Sequence, residues 1–151
     1  MGIELNLRRF KFSLESVLTV REKALKDAQK QLASITGVYN KQKDVLNEML
    51  VALSNLEKEA EKYLEEINFN PGLIANYNSF SLKLAQDIKF QEQIIEKTKL
   101  DVLKQQKITK KAYIDVKSLE NLKQKQKDEY NKEFMAEELK QIDDIVNSRR
   151  K

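Results

Sequence analysis

The chain has 151 residues, 28 of them basic and 24 acidic, with no cysteine and no histidine. The lack of both residue types excludes disulfides and thiolate metal sites and removes the usual general base. We therefore expect no enzymatic activity, metal, cofactor or small-molecule substrate. A net charge of +4 from so even a mixture argues against nucleic acid as a partner. With 40% apolar residues, three Gly and one Pro, the composition predicts helix nearly throughout.

Neither a membrane span nor a secretion signal is predicted. The sequence has no run of about 18 apolar residues and no apolar segment near Met1, as these two features would require. We expect a cytoplasmic protein, and the lack of cysteine fits that compartment.

The first twelve residues alternate apolar and basic side chains. Because the chain offers no second strand pattern for pairing, an extended arm or a first helical turn is preferred to a strand. Ser13 is a suitable N-cap residue, and Phe12 can pack onto Val17 in the first turns of the helix. The predicted elements are an N-terminal arm over 1–12 and a first helix over 13–67.

An apolar ladder with alternating steps of four and three residues runs from Leu14 to Ile67, and only Arg21 and Gln42 break it. This 3.5-residue repeat keeps one stripe on one side of an under-wound helix, as a left-handed coiled coil requires. Gly37 lies within the ladder at a cost of about 1 kcal/mol relative to Ala. It marks either a bend or a tolerated glycine.

The ladder stops at residues 68–72, Asn-Phe-Asn-Pro-Gly, which include the only proline. Asn70 can cap a second helix with Pro71 at its first position, where the missing N–H costs nothing. We place the turn of a hairpin at 68–72 and the second helix at 73–149.

The second helix carries a more polar ladder from Tyr77 to Tyr130, which includes Gln91 and Gln105. Polar residues at such positions lower stability and restrict the register of the two helices. The two ladders together predict an all-α fold, a long two-helix antiparallel coiled-coil hairpin that forms a single domain over 1–151.

Beyond Tyr130 the apolar pattern moves to another face of the second helix. Folding about residue 70 places Leu14 beside roughly Gln126, so the last ~25 residues project past the start of the first helix. An apolar face on an overhanging helix end predicts a docking surface, unless the N-terminal arm covers it. The residues of this face are Phe134, Met135, Leu139, Ile142, Ile145 and Val146.

Specific motifs lie near both ends of the chain: Phe10 to Glu22, Leu119 to Lys123, and Glu138 with Gln141 to Ile145. The first resembles the opening motif of the FliJ family, the small stalk proteins of the flagellar type III export apparatus. The others resemble that family's Leu-Glu-Lys-Leu-type motif and its closing Glu…Leu-Asp-Glu segment. Departures from the family pattern are Asn121, Gln126 and the stretch Ile142-Asp143-Asp144.

The resemblance implies a non-enzymatic stalk, similar to the coiled coil of the rotary ATPase gamma subunit. Its paired termini would enter the hexameric export ATPase, promote ring assembly and stimulate ATP hydrolysis. The implied partners also include export chaperones and the cytoplasmic part of the export-gate membrane protein. The implied location is cytoplasmic, peripherally associated with the inner-membrane export apparatus.

For the ATPase contact, our hypothesis combines apolar anchors on the overhanging helix with charges that set orientation and association rate. For each charge, a solvated helix face is an open alternative. The residues are Arg8, Arg9, Phe10, Phe134, Met135, Leu139, Ile142, Asp143 and Asp144.

A second candidate surface, assigned to the export gate, follows the turn with a four-three-four spacing. It comprises Leu73, Tyr77, Phe80 and Leu84. Tyr77 and Leu84 also belong to the ladder, so core packing is the alternative interpretation. Leu73 and Phe80 lie at its flank, where a side chain can reach a partner.

Two other functions stay open on the sequence. One is a generic coiled-coil scaffold or adaptor, such as a parallel dimer of continuous rods. Pro71 would interrupt each rod at a cost of ~3 kcal/mol or more. The other is the equivalent stalk of a virulence type III secretion system, because those proteins share the hairpin shape.

Overall fold

A computed structural model describes residues 9–65 and 70–150. These residues form two helices, α1 over Glu15–Glu65 and α2 over Pro71–Arg149, and no strand. The helices pack against each other in antiparallel orientation, which confirms the predicted all-α hairpin and contradicts the continuous rod. Residues 66–69, which include Ile67 and the first two residues of the predicted turn, lie outside the described residues.

Each helix begins with a local cap. The backbone N–H of Glu15 donates to the carbonyl of Phe12 at 3.1 Å, so α1 begins two residues after Ser13. At the start of α2, the Oδ1 atom of Asn70 accepts a hydrogen bond from the N–H of Gly72 at 3.0 Å. This is the predicted N-cap. Pro71 is the first helical residue, as predicted with the Asn70 cap, so the last two residues assigned to the turn belong to α2.

Contacts divide the chain into two units, one of Met1–Asp27 with Thr109–Lys151 and the other of Ala28–Ile108. In the Ala28–Ile108 unit, the buried apolar residues Ala28, Ile88 and Val102 all belong to the predicted ladders. The residues between two ladder positions are mostly exposed. This unit is therefore a narrow seam with little core on either side.

Two glutamines define the register of this seam. The Nε2 atom of Gln91 donates to the carbonyl of Gln42 at 3.0 Å, and that of Gln105 donates to the carbonyl of Ala28 at 3.3 Å. The separation of 14 positions between Ala28 and Gln42 thus equals the separation between Gln91 and Gln105. Two heptads on one helix face two heptads on the other, as an antiparallel coiled coil requires.

The other unit has a small hydrophobic cluster at its centre. Phe12, Leu18 and Val116 are buried, and three half-buried residues pack against them: Phe10, Leu25 and Leu119. Two ion pairs join the helices here, Arg21 with Asp115 at 3.8 Å and Glu15 with Lys123 at 2.9 Å. Exposed pairs of this kind contribute about 0–1 kcal/mol. The cluster, more than the ion pairs, therefore stabilises this unit.

Gly37 is a tolerated glycine within α1, because the helix continues through it without a positive φ. A Cβ atom built at this position meets no atom within 4 Å. We expect Gly37→Ala to stabilise the protein by about 1 kcal/mol through higher helix propensity. Thermal unfolding followed by circular dichroism should show a Tm about 2–4 °C higher. The reciprocal change Ala33→Gly should lower Tm by a similar amount, and a lower Tm for Gly37→Ala would instead indicate a required bend.

Candidate partner-binding faces

The N-terminal arm packs on α2 close to the start of α1. The ring of Phe10 lies 5.8 Å from that of Tyr130 between centroids, and Phe12 is buried in the hydrophobic cluster. The described part of the arm, from Arg9 onward, therefore contacts α2 at about Tyr130. It leaves the rest of α2 uncovered, since every described residue from Met135 onward is exposed.

α2 continues well past the start of α1. Glu15, the first residue of α1, pairs with Lys123, and α2 runs for 26 more residues to Arg149. At 1.5 Å per residue this length is about 39 Å. The predicted register, Leu14 beside roughly Gln126, agrees with this pairing to within one helical turn.

The last four turns of α2 carry an exposed apolar surface, which we name the C-terminal face. Its residues recur at steps of three and four, so they share one side of the helix. Their exposed fractions range from 45% for Val146 to 64% for Met135. The C-terminal face consists of Met135, Leu139, Ile142, Ile145 and Val146. Phe134, at its inner edge, is half-buried.

An apolar surface on one helix is suited to binding a complementary groove. Burying one Leu or Ile side chain contributes about 1.5–3 kcal/mol before the costs of association. Asp143 and Asp144 are exposed beside Ile142. Charges at the margin of an apolar contact affect orientation and association rate more than affinity.

The other predicted ATPase-binding residues lie at the opposite terminus. Arg9 is exposed, whereas Phe10 is half-buried against the cluster and Tyr130. Part of the Phe10 ring is therefore used within the chain. Arg8 lies outside the described residues.

The predicted export-gate residues divide into two pairs. Tyr77 and Leu84 are half-buried, as their ladder positions require. Leu73 and Phe80 are exposed, at 47% and 61%. We name Leu73 and Phe80 the tip face, because they lie in the first three turns of α2, next to the hairpin turn.

The sequence places Ile145 and Val146 on the predicted docking surface but not among the predicted ATPase-binding residues. Both are exposed beside Ile142. The signal that identifies them is the same three-four spacing. In contrast, the pairing of Arg21 with Asp115 explains one break in the first ladder as a contact within the chain.

Within 9–65 and 70–150, no group of three or more acidic side chains is placed to share a metal ion. No helix in the same ranges is both long and apolar enough to cross a membrane.

Comparison with known families is decisive for this chain. The family model for the flagellar FliJ protein matches residues 10–150, which include both helices and all three motifs. No curated protein and no solved structure matches the chain. The family match confirms the resemblance of the end motifs. The chain therefore belongs to the FliJ family, whose members are components of the flagellar export apparatus.

Proposed function

We propose that this protein is the non-enzymatic central stalk of the flagellar type III export ATPase. In this proposal its paired termini insert into the hexameric ring and promote both ring assembly and ATP hydrolysis. The main support for this proposal is the C-terminal face, which lies on a helix that extends past α1. Its apolar side chains are up to 64% exposed, the value for Met135. Solvent-exposed apolar surfaces of this kind typically mark interaction sites.

The apolar anchors of the proposed ATPase contact are Met135, Leu139 and Ile142, with Phe134 at the inner edge. The charged residues at its margin are Arg9, Asp143 and Asp144, all exposed. Arg8 belongs to the same proposal on sequence grounds. We assign Phe10 a positioning role, because its ring packs on Tyr130 and so orients the arm beside α2.

The mechanism follows from symmetry. A two-helix hairpin has no six-fold symmetry, so inside a ring it contacts some subunits more strongly than others. Such contacts bias a subunit toward one conformation only by their difference in free energy between its states. The stalk would then favour, one subunit at a time, the conformation that hydrolyses ATP.

The test is the ATP turnover and ring formation of the cognate export ATPase, titrated with the full chain. We expect saturable stimulation and a shift of the ATPase toward hexamers. No effect on either quantity would contradict the proposal. It would favour a scaffold role or the escort of export chaperones.

The second part of the proposal links the ATPase to the export gate and export chaperones. We assign gate binding to the tip face, Leu73 and Phe80, because both are exposed beside half-buried ladder residues. Tyr77 and Leu84 would support these two side chains from the seam.

Replacing Phe80 with Ala should weaken binding to the cytoplasmic part of the export gate at least tenfold. Because 61% of Phe80 is exposed, we expect Tm to fall by no more than a degree or two. Isothermal titration calorimetry and thermal unfolding measure the two quantities. Leu84→Ala serves as the control, since a half-buried ladder residue should lower Tm more strongly. A large thermal loss for Phe80→Ala would show a core role.

A further inference from the structure

One flank of the seam in the Ala28–Ile108 unit is unusually apolar on α1. The positions that precede the ladder residues Tyr39, Leu46 and Leu53 recur every seven residues. They are occupied by Val38, Val45 and Ala52. Flanking positions of two-stranded coiled coils usually carry Glu and Lys, which pair across the helices and cover the seam. These three residues cannot form such pairs.

The facing flank of α2 has a regular pattern of its own. At seven-residue steps it presents an apolar residue and an aspartate in turn: Phe80, Asp87, Ile94, Asp101 and Ile108. Apolar side chains thus recur every two heptads, or about 21 Å along the helix. Polar residues would suffice at positions 94 and 108 if this flank only contacted water.

The two flanks meet at an open cleft of about 430 Å³. Val38 lines it from α1, and Asp101, Lys104 and Ile108 line it from α2. Val38 and Ile108 are each 48% exposed. Val38 and Ile108, one from each flank, are therefore accessible together in one groove, which we name the Val38 groove.

The opposite flank of the same seam differs. Apart from Leu50 and Ala85, its positions between residues 29 and 57 and between 85 and 106 are polar or charged: Gln29, Thr36, Lys43, Glu57, Glu92, Lys99 and Gln106. One side of this coiled coil thus carries mostly polar side chains, while the other carries apolar side chains at regular steps. The asymmetry indicates that the Val38 groove accepts a further helix.

The outer rim of the groove on α2 is basic. Lys97 and Lys104 are exposed seven residues apart, on either side of Asp101 in the sequence. Asp101 lies four residues after Lys97 and three before Lys104, spacings at which opposite charges on a helix attract. Between residues 97 and 104 the rim has two lysines and one aspartate, so this part of it carries a net positive charge; Asp87 lies two heptads before Asp101 on the same flank.

We propose that the Val38 groove binds an amphipathic helix of a protein partner, which packs as a third helix against this unit. The apolar stripe of that helix contacts Val38 and Ile108, which line the cleft. Its acidic residues lie along the side that faces Lys97 and Lys104. This contact is separate from the tip face and the C-terminal face, so it is independent of the proposed stalk function.

The test uses the full chain and two synthetic 28-residue helical peptides as probes. Both carry the same Leu and Ile stripe, but one has Glu and the other Lys at the flanking positions. The protein has no cysteine, so a single Cys placed at an exposed site such as Lys58 can hold a fluorophore for binding measurements. We expect the Glu peptide to bind at least tenfold more tightly than the Lys peptide, and less tightly as salt concentration rises.

Matched variants locate the binding site. Val38→Glu puts a charge into the groove and should weaken binding of the Glu peptide at least tenfold. Leu50→Glu makes the same change on the opposite flank at a similarly exposed residue, 44% against 48%, and should leave binding unchanged. Lys104→Glu should weaken binding of the Glu peptide and strengthen binding of the Lys peptide. Lys107→Glu, on the outer surface of α2, should change the binding of neither peptide.

Three results would overturn the proposal. One is that neither peptide binds, and another is that Val38→Glu and Leu50→Glu weaken binding equally. The third is self-association of the full chain in sedimentation equilibrium that Val38→Glu abolishes without peptide binding, which would make a second copy of this chain the occupant. Helicity measured by circular dichroism must be the same for all four variants, and a loss confined to Val38→Glu would count against an open groove.

Discussion

Replacing Leu139 and Ile142 together with Asp is expected to abolish stimulation of the export ATPase. Both side chains are at least half exposed on the C-terminal face, so the folded protein loses little when they change. In the complex with the ATPase, each substitution would remove about 1.5–3 kcal/mol of binding free energy from apolar burial. A carboxylate buried against an apolar groove adds a desolvation cost. Since 1.4 kcal/mol corresponds to a factor of ten, we expect affinity to fall by more than about 100-fold.

The control makes the same change of two charge units in the same segment without touching the apolar stripe. Lys140 is exposed, and the residues three and four positions from it all lie outside the C-terminal face, so it is on another side of α2. Lys140→Glu should keep stimulation within about twofold, because marginal charges mainly affect association rate. If Leu139→Asp with Ile142→Asp kept helicity and still bound the ATPase normally, the C-terminal face would not be the contact.

The fold was predictable because periodicity alone distinguishes buried from exposed positions in a coiled coil. Leu18, Ala28 and Val116 are ladder members and are buried. Even the polar position Gln105 is buried at 7% exposure, since its amide can donate to a carbonyl of the other helix. The start of α2 followed from local chemistry, because Asn70 caps it as its side-chain oxygen allows.

The packing of the arm was less predictable. Nothing in a 3.5-residue repeat specifies where an extended segment lies, because its side chains follow no helical period. The sequence suggested that Phe10 binds the ATPase. In the structure, the aromatic ring of Phe10 packs on Tyr130. That contact depends on the register of the two helices near Glu15. The ion pair of Glu15 with Lys123 shows this register, but only the three-dimensional structure reveals the pair.

The partner surfaces were predictable to a different degree. Steps of three and four identify the C-terminal face from sequence, and the ladder pattern already separates Tyr77 and Leu84 from Leu73 and Phe80, which are exposed. Which partner each face binds depends on surfaces outside this chain. For that reason the assignment of the ATPase to the C-terminal face, and of the export gate to the tip face, is a proposal that substitutions can test.

Leu18→Ala is expected to have the largest effect on stability. Leu18 is 3% exposed and lies between Phe12 of the arm and Val116 of α2. Removing a buried Leu side chain costs about 2–5 kcal/mol, since transfer energy is lost and a cavity remains. Urea unfolding followed by circular dichroism should show this loss. Val20→Ala, at a residue 65% exposed on the same helix, should change stability by no more than about 0.5 kcal/mol.

The same substitution tests whether the hydrophobic cluster holds the arm. Lys11 is exposed between Phe10 and Phe12, so trypsin can cut after it once the arm leaves α2. Because Leu18 contacts the cluster that buries Phe12, Leu18→Ala should accelerate cleavage at Lys11 under native conditions, while Val20→Ala should not. Equal cleavage rates combined with a large loss of global stability would mean that the arm is held by Phe10 and Tyr130 alone. The arm would then be a positioning element separate from the core of its unit.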